Sequence, residues 1–203
     1  MYWDASLSGK DRHIQKEIRL IEDYVRDSAI KQITIITFAN EIIEEREFSG
    51  NSSAEIAAYL QSIAYDGATD FTKLDLKAEG FDQVILCSDG IQSLGNGNKE
   101  TGNTPIYVLN STTGSAYDLL KHWCTLSGGD FINLENTSSV DSLARLSEVP
   151  IHFIGHDQPE LKEFYISHIA NGQFQINGIM HGHSAHLNLK FGYGNELAFT
   201  VPV

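Results

Sequence analysis

The sequence predicts an α/β protein in which a doubly wound, mostly parallel sheet with helices on both faces precedes a small antiparallel β module. Strand-like and amphipathic helical patterns alternate over residues 1–147, which is typical of such sheets. Two strand patterns, "QVILCS" and "PIYVLN", are apolar almost throughout, as in strands that helices cover on both sides. After Pro150 the helical period ends. We therefore predict an α/β domain over 1–147 and a β module over 150–203.

The first half of the α/β domain begins with a stub of strand, Met1–Trp3, and a polar turn. Residues 10–28 then carry apolar side chains at helical spacing, with charges on the other face. Residues 31–40 are rich in β-branched side chains and 41–49 resemble an edge strand, so we predict a hairpin there. Serines open the next helical pattern, over 52–65, which Gly67 ends.

The second half repeats the alternation. A buried strand is predicted within 81–90 and another within 104–110. Helical patterns follow at 115–129, closed by glycine, and at 138–148, with a short strand at 130–136 between them.

The β module is predicted from alternation and from turn residues. Apolar side chains alternate with polar ones through Leu187–Phe191 and Leu197–Val201. Asn171-Gly172, Asn177-Gly178 and residues 192–195 carry the residue types of hairpin turns. We expect four or five strands, near the lower limit for an independent sheet, so that the module packs on the first domain or continues past Val203.

Composition and charge narrow the possible functions. The 203 residues carry a net charge of −13, which opposes binding to nucleic acid or to an anionic membrane and favours cations or basic partners. No apolar run is long enough to span a bilayer, so we expect no membrane-spanning segment. Cys87 and Cys124 both lie in apolar patterns, and we expect two buried free thiols.

Polar clusters stand at three places where we expect strands to end. Asp4, Ser6 and Ser8 alternate after the first strand, Thr69 and Asp70 close a "GATD" turn, and Asp89 lies in "SDG" after a buried strand. Because ligands of open parallel sheets bind at the carboxyl ends of strands, these clusters are predicted to share one pocket if the first and the "VILC" strands are neighbours.

The chemistry of this set favours a hard cation. Two carboxylates and three hydroxyls suit Mg²⁺, Mn²⁺ or Ca²⁺ rather than zinc. Such a set leaves a coordination position open, which an acidic side chain of a partner could fill. For the first cluster alone the alternative is helix capping, which one residue would satisfy. In "HGHSAH" (residues 181–186), His181 and His183 would share one face of a strand, so a zinc site is an alternative there. No acidic or thiol residue is near in sequence, and we interpret these histidines as solvated.

These motifs resemble the metal-ion-dependent adhesion site of von Willebrand factor type A domains. The pattern Asp-x-Ser-x-Ser, then Gly-x-Thr-Asp, then Ser-Asp-Gly occurs in that order, and the resemblance spans about 1–147. It implies that Asp70 fixes a loop behind the ligands, and the metal ligands it implies are Asp4, Ser6, Ser8, Thr69 and Asp89. The "YWDAS" opening with the β tail is similar to bacterial relatives of inter-alpha-trypsin inhibitor heavy chains, in which a VIT domain precedes the A domain. That likeness favours a cell-surface or extracytoplasmic location.

The chain departs from this family at two points. Its first strand is reduced to Met1–Trp3, and Leu7 stands between the two serines, where a small residue is commoner in the family.

The functional expectation is a protein-binding module without enzymatic activity, whose partner presents an acidic residue. The alternative is a Mg²⁺-dependent hydrolase acting on a phosphate ester. That reaction needs a cationic clamp, for which Lys10, Arg12 and Lys73 are the near candidates in sequence. A structural domain that does not use the site is a third possibility.

Overall fold

The predicted fold class is confirmed. A computed structural model describes residues 1–95, 99–102, 104–148, 152–158, 162–169, 173–179, 186–193 and 196–203. Its main sheet has six strands and is mostly parallel, and separate antiparallel strands follow it along the chain.

The main sheet has the order β3-β2-β1-β4-β5-β6. Its strands are β1 (Tyr2–Asp4), β2 (Gln32–Phe38), β3 (Ile42–Ser49), β4 (Val84–Cys87), β5 (Ile106–Asn110) and β6 (Phe131–Asn133). Neighbouring strands are parallel except β2 and β3, which form the predicted hairpin with β3 at the edge. Trp3 of β1 pairs with Cys87 of β4, so the carboxyl ends of these two strands lie side by side.

Helices cover both faces of this sheet. Over the described residues they are α1 (Ile14–Asp27), α2 (Ser53–Ser62), α3 (Tyr117–Ser127) and α4 (Ser139–Ser147). Side chains of α1, α2 and α4 share one hydrophobic core with Trp3, whereas α3 shares the other with Tyr2. Adjacent residues of β1 therefore point to opposite faces, as a strand covered on both sides requires.

Helix α1 begins later than its sequence pattern suggests. Residues Leu7–Asp11 form a short 3₁₀ turn, and the helix starts at Ile14. Between the two, Arg12 has an extended backbone, and its side chain donates from Nη2 to the Asp4 carbonyl at 2.7 Å.

The C-terminal strands are antiparallel, as predicted. They are β7 (His152–His156), β8 (Lys162–Ile169), β9 (Gln173–Ile179), β10 (Asn188–Tyr193) and β11 (Glu196–Pro202). β11, β10 and β7 form one sheet, and β8 pairs with β9 in another. Residues 149–151 lie outside the described part of the chain, and the division into domains 1–147 and 150–203 stays a prediction.

One predicted turn in these strands is wrong. Asn177 and Gly178 lie inside β9, opposite Tyr165 and Phe164, where the pairing with β8 shifts its register. Glycine is tolerated in a strand at such irregularities, so an Asn-Gly pair does not by itself mark a hairpin. Asn171, Gly172 and residues 181–185 lie outside the described residues.

Two further expectations concern the whole chain. Cys87 and Cys124 are free and buried, as predicted. Within the ranges that the structure describes, no helix combines the length and the apolar character needed to cross a membrane.

Candidate metal site at the carboxyl edge of the sheet

Asp4 lies at the carboxyl end of β1 and is fully buried. Its Oδ1 accepts a hydrogen bond from the backbone N–H of Ser6 at 2.9 Å. Its Oδ2 accepts one from Ser88 Oγ at 2.6 Å, at the end of the neighbouring strand β4. The carboxylate is therefore held in one orientation by groups from two loops.

Ser6 and Ser8 turn their hydroxyl groups toward each other. Their Oγ atoms are 3.3 Å apart. The Ser8 hydroxyl offsets part of the rise in the pKa of Asp89, so the first and third sequence clusters lie close to each other. Neither the 3₁₀ turn that follows Ser6 nor helix α1 receives a side-chain capping bond at its N-terminus. Helix capping therefore does not explain these hydroxyls.

The loop that carries Thr69 is bound by backbone hydrogen bonds to both of the other loops. The Gly67 carbonyl accepts from Leu7 N at 3.0 Å, and the Thr69 carbonyl accepts from the N–H groups of Ser93 and Leu94, each at 3.0 Å. Thr69 is 0% exposed, yet its Oγ1 has no hydrogen-bond partner among the described residues. A buried hydroxyl without a partner is costly, so this atom is suited to a ligand that the protein itself does not supply.

Asp70 has a different role in the geometry. Its Oδ1 accepts hydrogen bonds from the backbone N and the Oγ1 of Thr72, at 2.9 and 2.6 Å, and so caps the short 3₁₀ turn Phe71–Lys73. These bonds to Thr72 lower the pKa of Asp70. The side chain thus fixes the loop that presents Thr69.

Asp89 is buried at the end of β4, where its Oδ1 accepts from Ile91 N at 2.9 Å. Burial raises the pKa of Asp89, and the nearby charge of Asp4 raises it further. The next residue, Gly90, has a φ of +72°, and a Cβ there would lie 2.7 Å from Leu120 Cγ. Glycine is therefore required for the turn that directs Asp89 inward.

Sequence reasoning missed a buried ion pair behind Asp4. Arg12 Nη1 lies 3.7 Å from Glu17 Oε2, with both side chains fully buried, and the Arg12 guanidinium lies 5.2 Å from the centroid of the Trp3 ring. Glu17 Oε1 also accepts from Ser111 Oγ at 2.5 Å. Burial raises the pKa of Glu17, partly offset by Arg12. The sequence does contain an indication of this ion pair, because Glu17 interrupts the apolar face of the α1 pattern.

The charges of this region are unbalanced. Three buried carboxylates, Asp4, Glu17 and Asp89, lie near one buried guanidinium, that of Arg12. Buried charge without compensation is unfavourable, and a dication would balance the excess. Within the described ranges no three His, Cys, Asp or Glu side chains form a metal cluster, so the predicted set depends on its hydroxyl groups.

Exposed apolar side chains lie on the loops that carry these polar groups and form what we call the apolar rim. We define it as Leu7, Ile91 and Leu94, which are 53%, 40% and 47% exposed and belong to the same loops. The side chain that the sequence places between the two serines, Leu7, is thus turned outward.

The structure places the predicted residues as follows. It joins Asp4 to the Ser6 backbone and to Ser88, the residue before Asp89, and it places Ser6 Oγ beside Ser8 Oγ. Thr69 is presented from a loop bound to theirs, with Asp70 behind it. Metal binding by this set stays a prediction.

The fold and these loops define a doubly wound α/β protein with an acidic, hydroxyl-rich site at the carboxyl edge of its sheet. The chain is similar to the crystal structure of an aerotolerance-related membrane protein from Bacteroides fragilis NCTC 9343 with multiple mutations to serines. The TM-score is 0.52 and the identity 16%, over 72% of this chain and 95% of that one. This likeness shows a shared fold only.

A second comparison is weaker. An uncharacterized membrane spanning protein from Vibrio fischeri aligns with a TM-score of 0.32 and 13% identity, over 72% of this chain and 94% of that one, which is too low to support an argument. No protein-family model matches the chain, and no curated protein matches it.

Proposed function

We propose that the chain is a von Willebrand factor type A-like module that binds a divalent cation, Mg²⁺ or else Mn²⁺ or Ca²⁺, and through it captures an acidic side chain of a protein partner. The observation that carries the proposal is the buried Oγ1 of Thr69, which lacks a partner in the described structure and lies in a loop bound to those of Asp4 and Asp89. In this proposal the metal ligands are Asp4, Ser6, Ser8, Thr69 and Asp89.

The donor set supports a hard cation. Carboxylate and hydroxyl oxygens are ligands of Mg²⁺, Mn²⁺ and Ca²⁺, and the thiols of Cys87 and Cys124 are buried in the apolar cores. The buried carboxylates of this region outnumber its one buried guanidinium, that of Arg12, and a positively charged ligand would balance the excess negative charge. A bound cation would supply the attraction for a foreign carboxylate, while the residues of this chain hold its ligands in place.

The apolar rim supports a protein as the partner. Leu7, Ile91 and Leu94 expose hydrocarbon on the same loops as the polar groups, and exposed apolar side chains beside a site favour a protein partner over a phosphate ester. In this arrangement the central carboxylate contact gives direction and the rim excludes water from it.

The contacts of Arg12 and Lys73 count against the hydrolase alternative. Arg12 is buried and engaged with the Asp4 carbonyl and Glu17, and Lys73 pairs with Glu41 at 3.1 Å. Two of the three cations proposed for a phosphate clamp are thus committed elsewhere. We therefore propose a binding module rather than an enzyme.

Metal binding is tested by titrating the protein with Mn²⁺ and following the relaxation rate of water protons, then displacing Mn²⁺ with Mg²⁺. We expect one saturable site in the natural protein and none in Asp4→Asn or Asp89→Asn. Asp11→Asn is the matched control. It removes the same charge, and Asp11 is exposed in the neighbouring 3₁₀ turn. Equal Mn²⁺ affinity in Asp4→Asn and Asp11→Asn contradicts the proposal.

The partner chemistry is tested with the Mn²⁺-loaded protein. A peptide with one aspartate among apolar residues is expected to lower the relaxation enhancement by replacing bound water, and its asparagine counterpart is not. Chelation of Mn²⁺ should abolish peptide binding. Peptide binding that persists in the chelator contradicts capture through the cation.

A further inference from the structure

A groove between helices α1 and α4 is separate from the metal site. Its volume is about 340 Å³, within the range of small-molecule pockets. Helix α1 and the first turn of α4, with the loop before it, line the groove, and the polar lining includes Lys16, Arg19, Asp23, Thr137, Ser139 and Ser142. None of these residues belongs to the proposed metal site.

The cationic side of the groove comes from α1. Lys16 and Arg19 lie one turn apart and therefore on one face of the helix. Lys16 pairs with Glu135 at 2.8 Å, whereas Arg19 makes no ion pair with any residue in the described ranges. Asp23, the acidic residue of the lining, pairs with Arg26, which compensates its charge. Arg19 is exposed, and a guanidinium without a counter-charge is suited to an anion, here against the net charge of −13 of the whole chain.

The hydroxyl side of the groove comes from the start of α4. Ser138 caps the helix by accepting from Asp141 N at 3.1 Å, and the first N–H groups of the helix lack partners within it. The positive end of the α4 dipole lies beside Lys16 and Arg19 and favours an anion, while the Asp141 carboxylate in the same turn, which accepts from Ser138 Oγ at 2.7 Å, offsets part of this preference.

Ser142 gives an independent indication of a ligand. It is 0% exposed and lines the groove, and its Oγ has no hydrogen-bond partner among the described residues. A buried hydroxyl without a partner costs free energy unless a ligand supplies the missing hydrogen bond. It can donate to a phosphate oxygen or accept from a ligand hydroxyl.

We propose that this groove binds a small phosphorylated molecule that also carries hydroxyl groups. The phosphate lies between Arg19, Lys16 and the N-terminus of α4, and the hydroxyl-bearing part reaches Thr137, Ser139 and Ser142. The groove is larger than a phosphate ion needs, so the organic part contributes to affinity. Arginine is suited to the phosphate because its guanidinium can donate two parallel hydrogen bonds.

The test uses ¹H–¹⁵N spectra of the whole chain, titrated in parallel with inorganic phosphate, glucose 6-phosphate and glucose. We expect saturable shifts at residues of the groove with both phosphates, about tenfold tighter for glucose 6-phosphate, and none with glucose. The titrations are run with and without Mg²⁺, so that a failure of the metal proposal leaves this result unaffected.

Two variants and a control complete the test. Arg19→Gln is expected to weaken glucose 6-phosphate binding about tenfold or more. Arg46→Gln removes the same charge from the exposed strand β3 and should leave affinity unchanged. Ser142→Ala should weaken binding while the ligand-free protein melts at the same or a higher temperature, because an unpartnered hydroxyl is removed. Absence of saturable shifts at the groove, or equal losses in Arg19→Gln and Arg46→Gln, overturns the proposal.

Discussion

Asp4 and Ser88 are separated by 84 positions along the chain, yet Ser88 Oγ donates to Asp4 Oδ2 at 2.6 Å. The contact exists because β1 and β4 are parallel neighbours that end at the same height. This hydrogen bond orients the Asp4 carboxylate, and its donor lies in the loop that carries Asp89, the other carboxylate of the proposed metal site. This relationship and the geometry around it lead to five predictions.

Replacing Ser88 by alanine should release the Asp4 carboxylate. We expect Mn²⁺ affinity to fall about tenfold, as for other residues that orient metal ligands. The free energy of unfolding should fall by about 1–2 kcal/mol, because a buried acceptor loses its donor. Ser93→Ala, an exposed serine farther along the same loop, is the control and should change neither quantity. Equal Mn²⁺ affinity in the two variants would count against an orienting role for Ser88.

Replacing Thr69 by valine distinguishes two roles of its hydroxyl, that of a metal ligand and that of a group needed for stability. The shape is kept and only the unpartnered Oγ1 is lost, so the metal-free protein should be as stable as before or up to about 1–2 kcal/mol more stable. Mn²⁺ affinity should fall about tenfold or more. Exposed Thr125 of α3 offers the matched Thr→Val control. A large loss of metal-free stability in Thr69→Val would instead show a structural role.

Gly90→Ala tests the turn that directs Asp89. The positive φ and the 2.7 Å approach to Leu120 Cγ should together cost roughly 1–3 kcal/mol of unfolding free energy and weaken Mn²⁺ binding. Gly80→Ala is a control with a φ of +90° and no atom within 4 Å of the added Cβ, so it reports backbone strain alone, about 1 kcal/mol. Urea unfolding of both variants gives the comparison. If the two lose equal stability, the contact with Leu120 is unimportant.

The Arg12–Glu17 pair should behave as one unit. Glu17→Gln leaves the buried guanidinium without its counter-charge and should cost about 3 kcal/mol of unfolding free energy. Arg12→Met should cost a similar amount, because it leaves Glu17 unpaired and removes the donor to the Asp4 carbonyl. The double variant Arg12→Met, Glu17→Gln should cost less than the sum of the two single changes. Additive losses in urea unfolding would show that the two side chains are not coupled.

The two cysteines should resist alkylation. Burial raises the pKa of the Cys124 thiol to about 12 and raises that of Cys87 well above its ordinary value. Because the reactive thiolate is scarce and covered, native protein at pH 9 should react with iodoacetamide only through unfolding. Mass spectrometry should show two alkyl groups after denaturation in urea, which is the control. Rapid labelling of native protein, or a missing alkyl group in urea, would contradict two buried free thiols.

The sequence alone determined the fold class, the hairpin of β2 and β3 and the location of the polar clusters at strand ends. These features depend on local periodicity and on the general rule that loops at the carboxyl ends of parallel strands share one edge. The periodicity also located the apolar strands β4 and β5 and the buried cysteines. It failed at Asn177-Gly178, because an Asn-Gly pair has the same local signature in a turn and at an irregular point of a strand.

Only the tertiary structure decided which side chains lack partners. The burial of Arg12 with Glu17, the isolated hydroxyls of Thr69 and Ser142, and the groove between α1 and α4 all depend on segments that are distant in sequence. Periodicity is a property of one segment, whereas the cost of an unpaired polar atom depends on every neighbour that excludes water from it. The sequence could therefore indicate where the site lies, and only the packed chain could show which atoms remain free for a ligand.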